Sequence, residues 1–261
     1  MSESTRIIVS GAAGRMGHAL CKAIAEADDA AMVAALVRPG SALDAMPTGI
    51  ASAPVYISVV PATTDFNVLI DVAGAPGFSA ALQLAVQRSV AFVSASTALD
   101  ESQMRALQHA ARDIPVLWAA NFSVGVAVLA HLVEQAARLL PEWDLEIVET
   151  HHRHKRDAPS GTALMLGQCA AEARGIDLAD AVADRGGARV EGSIGYAVSR
   201  GGDVVGEHEV RLLGTSERIE LIHRAGNRDI FALGALRAAC WLARKKPGRY
   251  SMADMLGLGR T

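Results

Sequence analysis

The sequence has few cysteines, few aromatic residues and almost no excess of charge of either sign. Its 261 residues include 3 cysteines, 4% aromatic residues and a formal net charge of −3. Three widely separated cysteines form neither a disulfide framework nor a Cys-x-x-Cys metal motif, so we expect a reducing, cytoplasmic compartment. The lack of a basic excess argues against a nucleic-acid-binding protein. With 51% hydrophobic residues, the chain is expected to fold into one large or two smaller domains.

The sequence also lacks an uninterrupted apolar run of membrane-spanning length. The apolar run 7–9 near the start is too short for a signal peptide. The segment 114–133 contains no Asp, Glu, Lys or Arg. Four polar or turn-forming residues interrupt it: Pro115, Asn121, Ser123 and Gly125. We therefore predict a strand over 114–118, a turn and then a helix from about Ser123, and no association with a membrane.

The first half of the chain alternates short apolar runs with helical patterns. Such alternation predicts an α/β domain whose parallel sheet is covered by helices on both faces. Strands are expected over 6–10, 31–36, 55–60, 68–72, 91–94 and 116–118. Helices are expected over 16–27, 76–88 and 101–112.

The pattern changes after Asn121. Helices are expected over 124–140 and 162–173, and strands over 144–151, 193–199, 207–213 and 218–223. Three successive strand-like runs without helices between them indicate a second, α+β domain. The segment 229–244 and the tail to residue 261 are expected to be helical, and sequence patterns do not assign the tail to either domain.

A glycine-rich loop joins the first predicted strand to the first predicted helix. Its residues are Gly11, Ala12, Ala13, Gly14, Arg15, Met16 and Gly17. The spacing is GxxGxxG rather than the common GxGxxG. Glycines here permit a tight turn, and the N–H groups of the following helix can bind the pyrophosphate of a dinucleotide. A plain strand–helix turn is the alternative interpretation.

Arg38 follows the second predicted strand, where an acidic residue favours NAD and an arginine accommodates the 2′-phosphate of NADP. We therefore predict that NADPH is preferred and that NADH binds more weakly. The alternative is that Arg38 is only a solvated loop charge. Asn121, at the last strand end of the first domain, is a candidate cofactor contact, and Asn121 or Ser123 is a candidate helix N-cap.

The stretch 149–163 is the most informative part of the sequence. It contains three histidines and three cationic residues, and Pro159, Ser160 and Gly161 then begin an apolar helix. Cations beside a helix N-terminus predict a pocket for a small polyanion, with a histidine or lysine that can move protons. The serious alternative is a solvated basic loop.

Two other readings of this stretch are weaker. His152 and His154 would share one strand face, but a zinc site lacks a third ligand and the neighbouring cations oppose it, so no metal is expected. A nucleic-acid patch would need interleaved aromatic residues, which are missing. The segment 202–208 is expected to be a structural or intersubunit turn.

Together these motifs resemble the 4-hydroxy-tetrahydrodipicolinate reductase family, also called dihydrodipicolinate reductases, of diaminopimelate and lysine biosynthesis. The resemblance covers essentially the whole chain. It is carried by GAAGRMG at 11–17, AANFSVGV at 119–126, HHRHKRDAPSGTA at 151–163 and GDVVGEH at 202–208. It implies an enzyme in which NAD(P)H delivers hydride to a conjugated imine, formed by loss of water, and a proton then quenches the enamine.

The resemblance also implies roles for individual residues. His151 would be the acid/base residue and Lys155 the proton donor, while His152, Gly161 and Thr162 would hold the substrate carboxylates. The cofactor-binding residues would be Gly11, Ala12, Ala13, Gly14, Arg15, Met16, Arg38, Ala95, Ser96, Thr97, Ala119, Ala120, Asn121 and Phe122.

The family implies a Rossmann-type dinucleotide-binding domain over 1–122 and about 233–261. It implies a substrate-binding and tetramerisation domain with an open mixed sheet over 123–232, and hence a homotetramer. The chain departs from the family pattern at Val37 and in the segments 71–74 and 95–98, which bears on cofactor affinity and nicotinamide orientation. A non-catalytic NADPH-binding sensor and a dehydrogenase of another small dicarboxylate are the alternatives.

Overall fold

The computed structural model describes residues 4–50, 53–178, 187–189 and 192–259. The chain divides into two compact units, Met1–Phe122 with Asp229–Thr261, and Ser123–Arg228. The chain returns to the first unit at Asp229, a few residues before the predicted boundary near 233, because a helix begins there. Helices and strands are numbered below in chain order over both units.

The first unit contains a seven-stranded sheet between helices. Its strands are β1 (Thr5–Ser10), β2 (Ala30–Leu36), β3 (Tyr56–Ile57), β4 (Val68–Asp71), β5 (Ala91–Ser94), β6 (Pro115–Trp118) and β11 (Gly248–Tyr250). Its helices are α1 (Arg15–Ala25), α2 (Ala75–Gln87), α3 (Glu101–Ala110), α6 (Asp229–Leu242) and α7 (Met252–Leu256). The strand order is β11-β6-β5-β4-β1-β2-β3, with every pairing parallel. This doubly wound order confirms the predicted Rossmann-type sheet.

The apolar runs form strands here because both faces of the sheet are buried. All four residues of β4 and of β5 are buried. On one side, Phe78 of α2 packs edge-on against Phe92 of β5 with ring centroids 5.7 Å apart. Fully burying each such side chain contributes about 1.5–3 kcal/mol. Asp100 and Gln103 form a capping box that starts α3 after β5.

Two sequence predictions for this unit are wrong in part. The tail contains a strand, Gly248–Tyr250, which pairs in parallel with β6 and extends the sheet. A three-residue strand is too short to carry a periodic pattern. The strand predicted over 55–60 is reduced to Tyr56–Ile57, where Tyr56 also exchanges backbone hydrogen bonds with the loop residues Ala45 and Met46.

The second unit consists of a four-stranded sheet and two described helices. Its strands are β7 (Asp144–His151), β8 (Ile194–Arg200), β9 (Glu207–Leu213) and β10 (Arg218–Arg224). The helices are α4 (Val124–Leu139) and α5 (Gly161–Arg174), whose N-caps are Ser123 and Ser160. The strand order is β10-β9-β7-β8, with β7 parallel to β8 and the other pairs antiparallel. The predicted open mixed sheet is therefore confirmed.

One face of β7 changes from apolar to polar along its length. Leu145 and Ile147 belong to the core formed with α4 and α5. Because side chains alternate along a strand, Glu149 and His151 continue the same face. Glu149 is paired across the sheet with His208 of β9. The sheet thus ends in a buried polar group beside the start of α5.

The described helices give no candidate for a transmembrane segment, since none combines sufficient length with sufficient apolar character.

Candidate active site

The glycine loop after β1 is held close to the neighbouring loops of the first unit. Gly11 has φ +81°, and a Cβ atom there would lie 2.7 Å from the Cα atom of Ala73. A Cβ atom at Gly17 would lie 2.2 Å from the carbonyl oxygen of Gly11. Both positions therefore require glycine. The N–H groups of Gly11 and Ala12 donate to the carbonyl oxygen of Leu36, at the end of β2.

The start of α1 has the properties of an anion-binding helix terminus. Its N-cap, Gly14, provides no side-chain cap, and its first turn contains no acidic residue. Ala13, Gly14 and Arg15 are exposed. Unoccupied N–H groups and the positive end of the helix dipole attract phosphate. This loop accordingly fits the pyrophosphate of a dinucleotide.

The other predicted cofactor-binding residues lie on the same edge of the sheet. Arg38 follows β2, the segment 95–97 follows β5, and the segment 119–122 follows β6. The carboxyl ends of parallel strands are where ligands bind in open α/β sheets. The side chain of Arg38 is exposed, and none of the described acidic residues forms an ion pair with it.

A buried carboxylate links the loop after β4 to the loop after β5. Asp71, at the end of β4, accepts hydrogen bonds from the hydroxyls of Ser94 at 2.8 Å and Ser96 at 2.6 Å. It also accepts one from the N–H of Ala73 at 3.1 Å. Ser96 in turn accepts a bond from the N–H of Gly74 at 2.9 Å. Burial raises the pKa of Asp71, and the three hydrogen bonds oppose that rise.

Three of the predicted cofactor residues can contact a nucleotide only through their backbone. Ala12 and Phe122 have fully buried side chains, and Phe122 packs beneath α6 at Gly234. The Ser96 hydroxyl is committed to Asp71 and Gly74. The hydrogen bonds of Ser96 and Asp71 thus hold the segments 71–74 and 95–98 together. These are the segments whose sequences depart from the family pattern, and sequence analysis did not predict this contact between them.

In the second unit, the N-terminus of α5 lies beside the polar end of β7. Ser160 caps the helix, because its hydroxyl accepts a hydrogen bond from the N–H of Ala163. A Cβ atom at Gly161 would meet no atom within 4 Å, so the helix terminus is accessible. Thr162 follows it in the first turn, which contains no acidic residue. This terminus can bind a carboxylate.

Cationic residues and two histidines lie in the turn between β7 and α5, directly before this helix terminus in the chain. The Lys155 ammonium pairs with Asp157 at 2.8 Å, and this contact lowers the pKa of Asp157. His152 Nε2 lies 3.2 Å from the guanidinium of Arg228. Partial burial and the charge of Arg228 lower the pKa of His152. A dianion bound here would be met by several positive groups.

His151 is the buried titratable group at the end of β7. Its Nδ1 atom lies in close contact with Oε2 of Glu149. Burial is the largest influence on the pKa of His151 and lowers it, and the charges of Lys155 and Arg200 act in the same direction. The Glu149 carboxylate acts in the opposite direction, but the net pKa lies below the usual value. The net direction therefore favours the neutral ring of His151.

Glu149 remains ionised despite being buried. Burial raises its pKa, but this effect is outweighed by hydrogen bonds from Arg200 and from the N–H of Ser160 and by the positive charge of Arg200, to which a protonated His151 would add. The pKa of Glu149 is therefore lower than usual. A buried carboxylate that is held by an arginine and a backbone N–H is a stable electrostatic anchor.

His208 packs against His151 as a second, uncharged imidazole. The two rings meet edge to face, with centroids 5.1 Å apart. The Nε2 atom of His208 lies 3.1 Å from the Ser160 hydroxyl. Burial is the main cause that lowers the pKa of His208 to about 4, and a proton on His151 would lower it further.

Glu149, His151 and His208 have donor atoms within 4.8 Å of one another. Such a set resembles a metal site in composition, but the contacts favour a hydrogen-bonded cluster. Arg200 and Lys155 add positive charge beside it, which opposes a divalent cation. The expectation of no metal stays a prediction.

The structure corrects two readings of this region and adds one residue to the site. His152 and His154 lie in the turn after β7 rather than on one strand face. The segment 202–208 is more than a structural turn, because Glu207 and His208 begin β9 and the His208 ring lies against the ring of His151. Glu149 was not singled out either, although its position two residues before His151 places both on one strand face.

Comparisons with known proteins give a consistent result for both units. The family model described as "Dihydrodipicolinate reductase, N-terminus" matches residues 5–122, and the model for the C-terminus matches residues 125–256. The chain is 45% identical over 265 aligned residues to a 4-hydroxy-tetrahydrodipicolinate reductase of Afipia carboxidovorans, covering 97% of each chain. It is 46% identical over 266 aligned residues to one of Alkalilimnicola ehrlichii, covering 98% of this chain and 100% of that one.

A solved structure shares the fold over almost the whole length. It is a dipicolinate-bound dihydrodipicolinate reductase from Paenisporosarcina sp. TG-14, with a TM-score of 0.79 and 20% identity. The match covers 96% of this chain and 98% of that one.

Proposed function

Because the chain belongs to the dihydrodipicolinate reductase family, we propose that it reduces 4-hydroxy-tetrahydrodipicolinate to tetrahydrodipicolinate with a reduced nicotinamide nucleotide. The observation that carries this proposal is that both family models match, together spanning residues 5 to 256 with a gap of two residues. The chain therefore has the nucleotide-binding half and the substrate-binding half of such an enzyme. The reaction belongs to diaminopimelate and lysine biosynthesis.

In this proposal the first unit binds the nucleotide at the carboxyl edge of its sheet. The loop 11–16 holds the pyrophosphate, and the loops 95–97 and 119–122 contact the rest of the cofactor. The fit rests on Gly11 and Gly17, where side chains would collide with backbone, and on the uncapped start of α1. When bound, the reduced nicotinamide supplies the hydride.

The second unit binds the dicarboxylate substrate and handles its protons. The N–H groups at Gly161 and Thr162, with His152, hold the substrate carboxylates by charge-assisted hydrogen bonds. His151 acts as the acid/base residue during the loss of water from the ring. Lys155 donates the proton that completes the reduction. The two groups suit these roles because the His151 ring is buried and has a lowered pKa, whereas the Lys155 side chain is partly exposed.

Two finer features belong to the same proposal. Arg38 favours NADPH over NADH, because no acidic residue at the end of β2 opposes the 2′-phosphate and a guanidinium is exposed there. The enzyme is a cytoplasmic homotetramer. Sedimentation of the purified protein tests the tetrameric state.

The experiment is a coupled turnover assay. The substrate is generated in situ by enzymatic condensation of pyruvate with aspartate semialdehyde, and the oxidation of NADPH and of NADH is followed separately. Oxidation of NADPH that depends on the condensing enzyme is the expected result. No oxidation of either nucleotide, with NADPH still bound, would refute the reductase and favour the non-catalytic sensor.

Lys155→Ala separates a catalyst from a nucleotide-binding protein. The variant should lose turnover, by about 10²-fold or more as is usual for a removed proton donor, while its Kd for NADPH stays unchanged. Arg138→Ala, which removes a cation from α4 paired with Glu134, is the control and should keep full turnover. Full turnover of Lys155→Ala would contradict the assigned role.

A further inference from the structure

We propose that Glu149 is a positioning residue for proton transfer. It holds the imidazole of His151 so that Nδ1 carries the hydrogen toward the carboxylate and Nε2 is the atom that exchanges a proton with the substrate. This inference rests on the proposed function, because that function gives His151 its part in the chemistry.

The first support is the way in which the Glu149 carboxylate is held. Its Oε1 atom accepts a hydrogen bond from the N–H of Ser160 at 2.9 Å and another from the Arg200 guanidinium at 3.0 Å. Its Oε2 atom contacts Nδ1 of His151. The side chain has no exposed surface. With Oε1 fixed from two sides, the carboxylate cannot turn, and Oε2 remains directed at the ring of His151.

The second support is the packing around the remaining edges of that ring. A Cβ atom at Gly206 would lie 3.0 Å from Nε2 and 3.3 Å from Cδ2 of His151. His208 covers the ring edge to face. The backbone of His151 is fixed as well, because its carbonyl oxygen accepts a hydrogen bond from the N–H of Gly201 at 2.9 Å. The absence of a side chain at Gly206 therefore leaves space beside Nε2 of His151.

The third support is the division of partners between the two oxygens of Glu149. The arginine and the Ser160 N–H both bind Oε1, so neither of them accounts for the direction of Oε2. The second oxygen, Oε2, contacts the one imidazole that the proposed chemistry uses. In a neutral imidazole the hydrogen bond at one nitrogen determines the tautomer, and so decides which nitrogen is basic.

The charged and titratable groups that face His151 come from three strands and the turn. They are Glu149 on β7, Lys155 after it, Arg200 on β8 and His208 on β9. The two cations and burial favour the neutral ring, and Glu149 is the one group of these that favours the protonated ring. Removing its charge should therefore lower the pKa of His151.

Glu149→Gln is the first test. The amide oxygen can still accept from Ser160 and Arg200, but the amide NH₂ would face Nδ1 and favour the wrong tautomer. We expect kcat to fall by about 10²-fold with little change in KM, and the pKa assigned to His151 in the pH profile of kcat/KM to move to lower pH. Glu146→Gln is the matched control, since Glu146 is a buried glutamate of β7 on the opposite strand face and pairs with Arg189.

The tautomer can be measured directly in the unaltered protein. In chains labelled with ¹⁵N-histidine, the signals of His151 are identified by their loss in His151→Asn. We expect the hydrogen on Nδ1 and an unprotonated Nε2 at pH 7.5, and the reverse or a mixture in Glu149→Gln. A hydrogen on Nε2 in the unaltered protein would overturn the inference, whether or not the glutamine variant folds.

The outcomes distinguish this inference from the function on which it rests. If the unaltered protein has no turnover, or if His151→Asn keeps full turnover, the proposed role of His151 fails. If His151→Asn loses turnover but Glu149→Gln keeps both kcat and the pH profile of the unaltered enzyme, only the positioning role of Glu149 fails.

Discussion

The buried imidazole of His208 should make the second unit lose stability in mild acid. Its pKa falls to about 4 from the ordinary value of 6.5, chiefly because burial penalises the charged ring and because His151 lies beside it. A histidine with a depressed pKa in the folded state stabilises the fold fully above its unfolded pKa. That stabilisation is lost as the pH falls toward the folded pKa.

The size of the effect follows from the two pKa values. A lowering of the pKa from 6.5 to about 4 corresponds to about 3 kcal/mol when the pH is below both values. Between pH 7.5 and pH 5, the unfolded imidazole becomes almost fully protonated while the folded one stays mostly neutral. His208 alone then accounts for a loss of about 2 kcal/mol in the free energy of unfolding over that interval.

The assay is urea unfolding of the second unit at pH 7.5 and at pH 5. Trp143 of this unit provides the signal when Trp118 and Trp241 of the first unit are replaced by phenylalanine. In His208→Gln, the loss between the two pH values should be smaller by about 2 kcal/mol than in the parent. The constant cost of the substitution cancels, because each variant is compared with itself.

His18→Gln, which removes an exposed histidine of α1 in the other unit, is the control and should leave the pH dependence of Trp143 unchanged. His151 and His223 also have lowered pKa values, so the variant should retain part of the loss. A loss in His208→Gln equal to that of the parent would show that this imidazole is not held neutral by the fold.

Three further predictions concern both units. Arg38→Ala should raise the KM for NADPH by about 10-fold, because a charge-assisted bond to the 2′-phosphate is lost, and should leave that for NADH unchanged; equal effects would refute the assignment. Gly206→Ala should lower kcat and leave the unfolding free energy within about 1 kcal/mol, since the new methyl group would press on Nε2 of His151 at 3.0 Å; unchanged turnover would contradict this geometry. Ala98→Gly should stabilise the first unit by about 0.5–1 kcal/mol in urea unfolding, because Ala98 has φ +57°, whereas the same change at the exposed helical residue Ala80 should destabilise it by about 1 kcal/mol. Equal signs would refute the argument from backbone strain.

The Rossmann-type unit could be predicted from the sequence because its signals are local. The glycine loop, the strand before it and the helix after it are contiguous, so their order identifies the site. The short strand at Gly248–Tyr250 could not be predicted in this way, since it exists only through its pairing with β6. The same reasoning explains Ala98, whose backbone conformation depends on the loop around it rather than on its own preference.

The polar end of the mixed sheet is a harder case, because its groups are distant in sequence. The run of cations pointed to the region and to His151, but Glu149 gains its meaning only from contacts with Ser160, Arg200 and His208. Register decides these contacts: β9 must pair with β7 so that His208 stands opposite Glu149. The alternation of each strand predicts which side chains face inward, but not which inward residue of β9 stands opposite Glu149.

The same register explains why a buried glutamate persists where the strand face is otherwise apolar. The core residues Leu145 and Ile147 fix the register of β7, and Glu149 is then carried inward by the alternation of the strand. Burying its charge is unfavourable unless both oxygens have partners, and those partners come from the start of α5, from β8 and from His151. A one-residue slip would turn Glu149 to the opposite face and place Val148 beside the cations. The alignment that buries the core is therefore the alignment that presents His151, so the stability of this sheet and the geometry proposed for proton transfer are determined together.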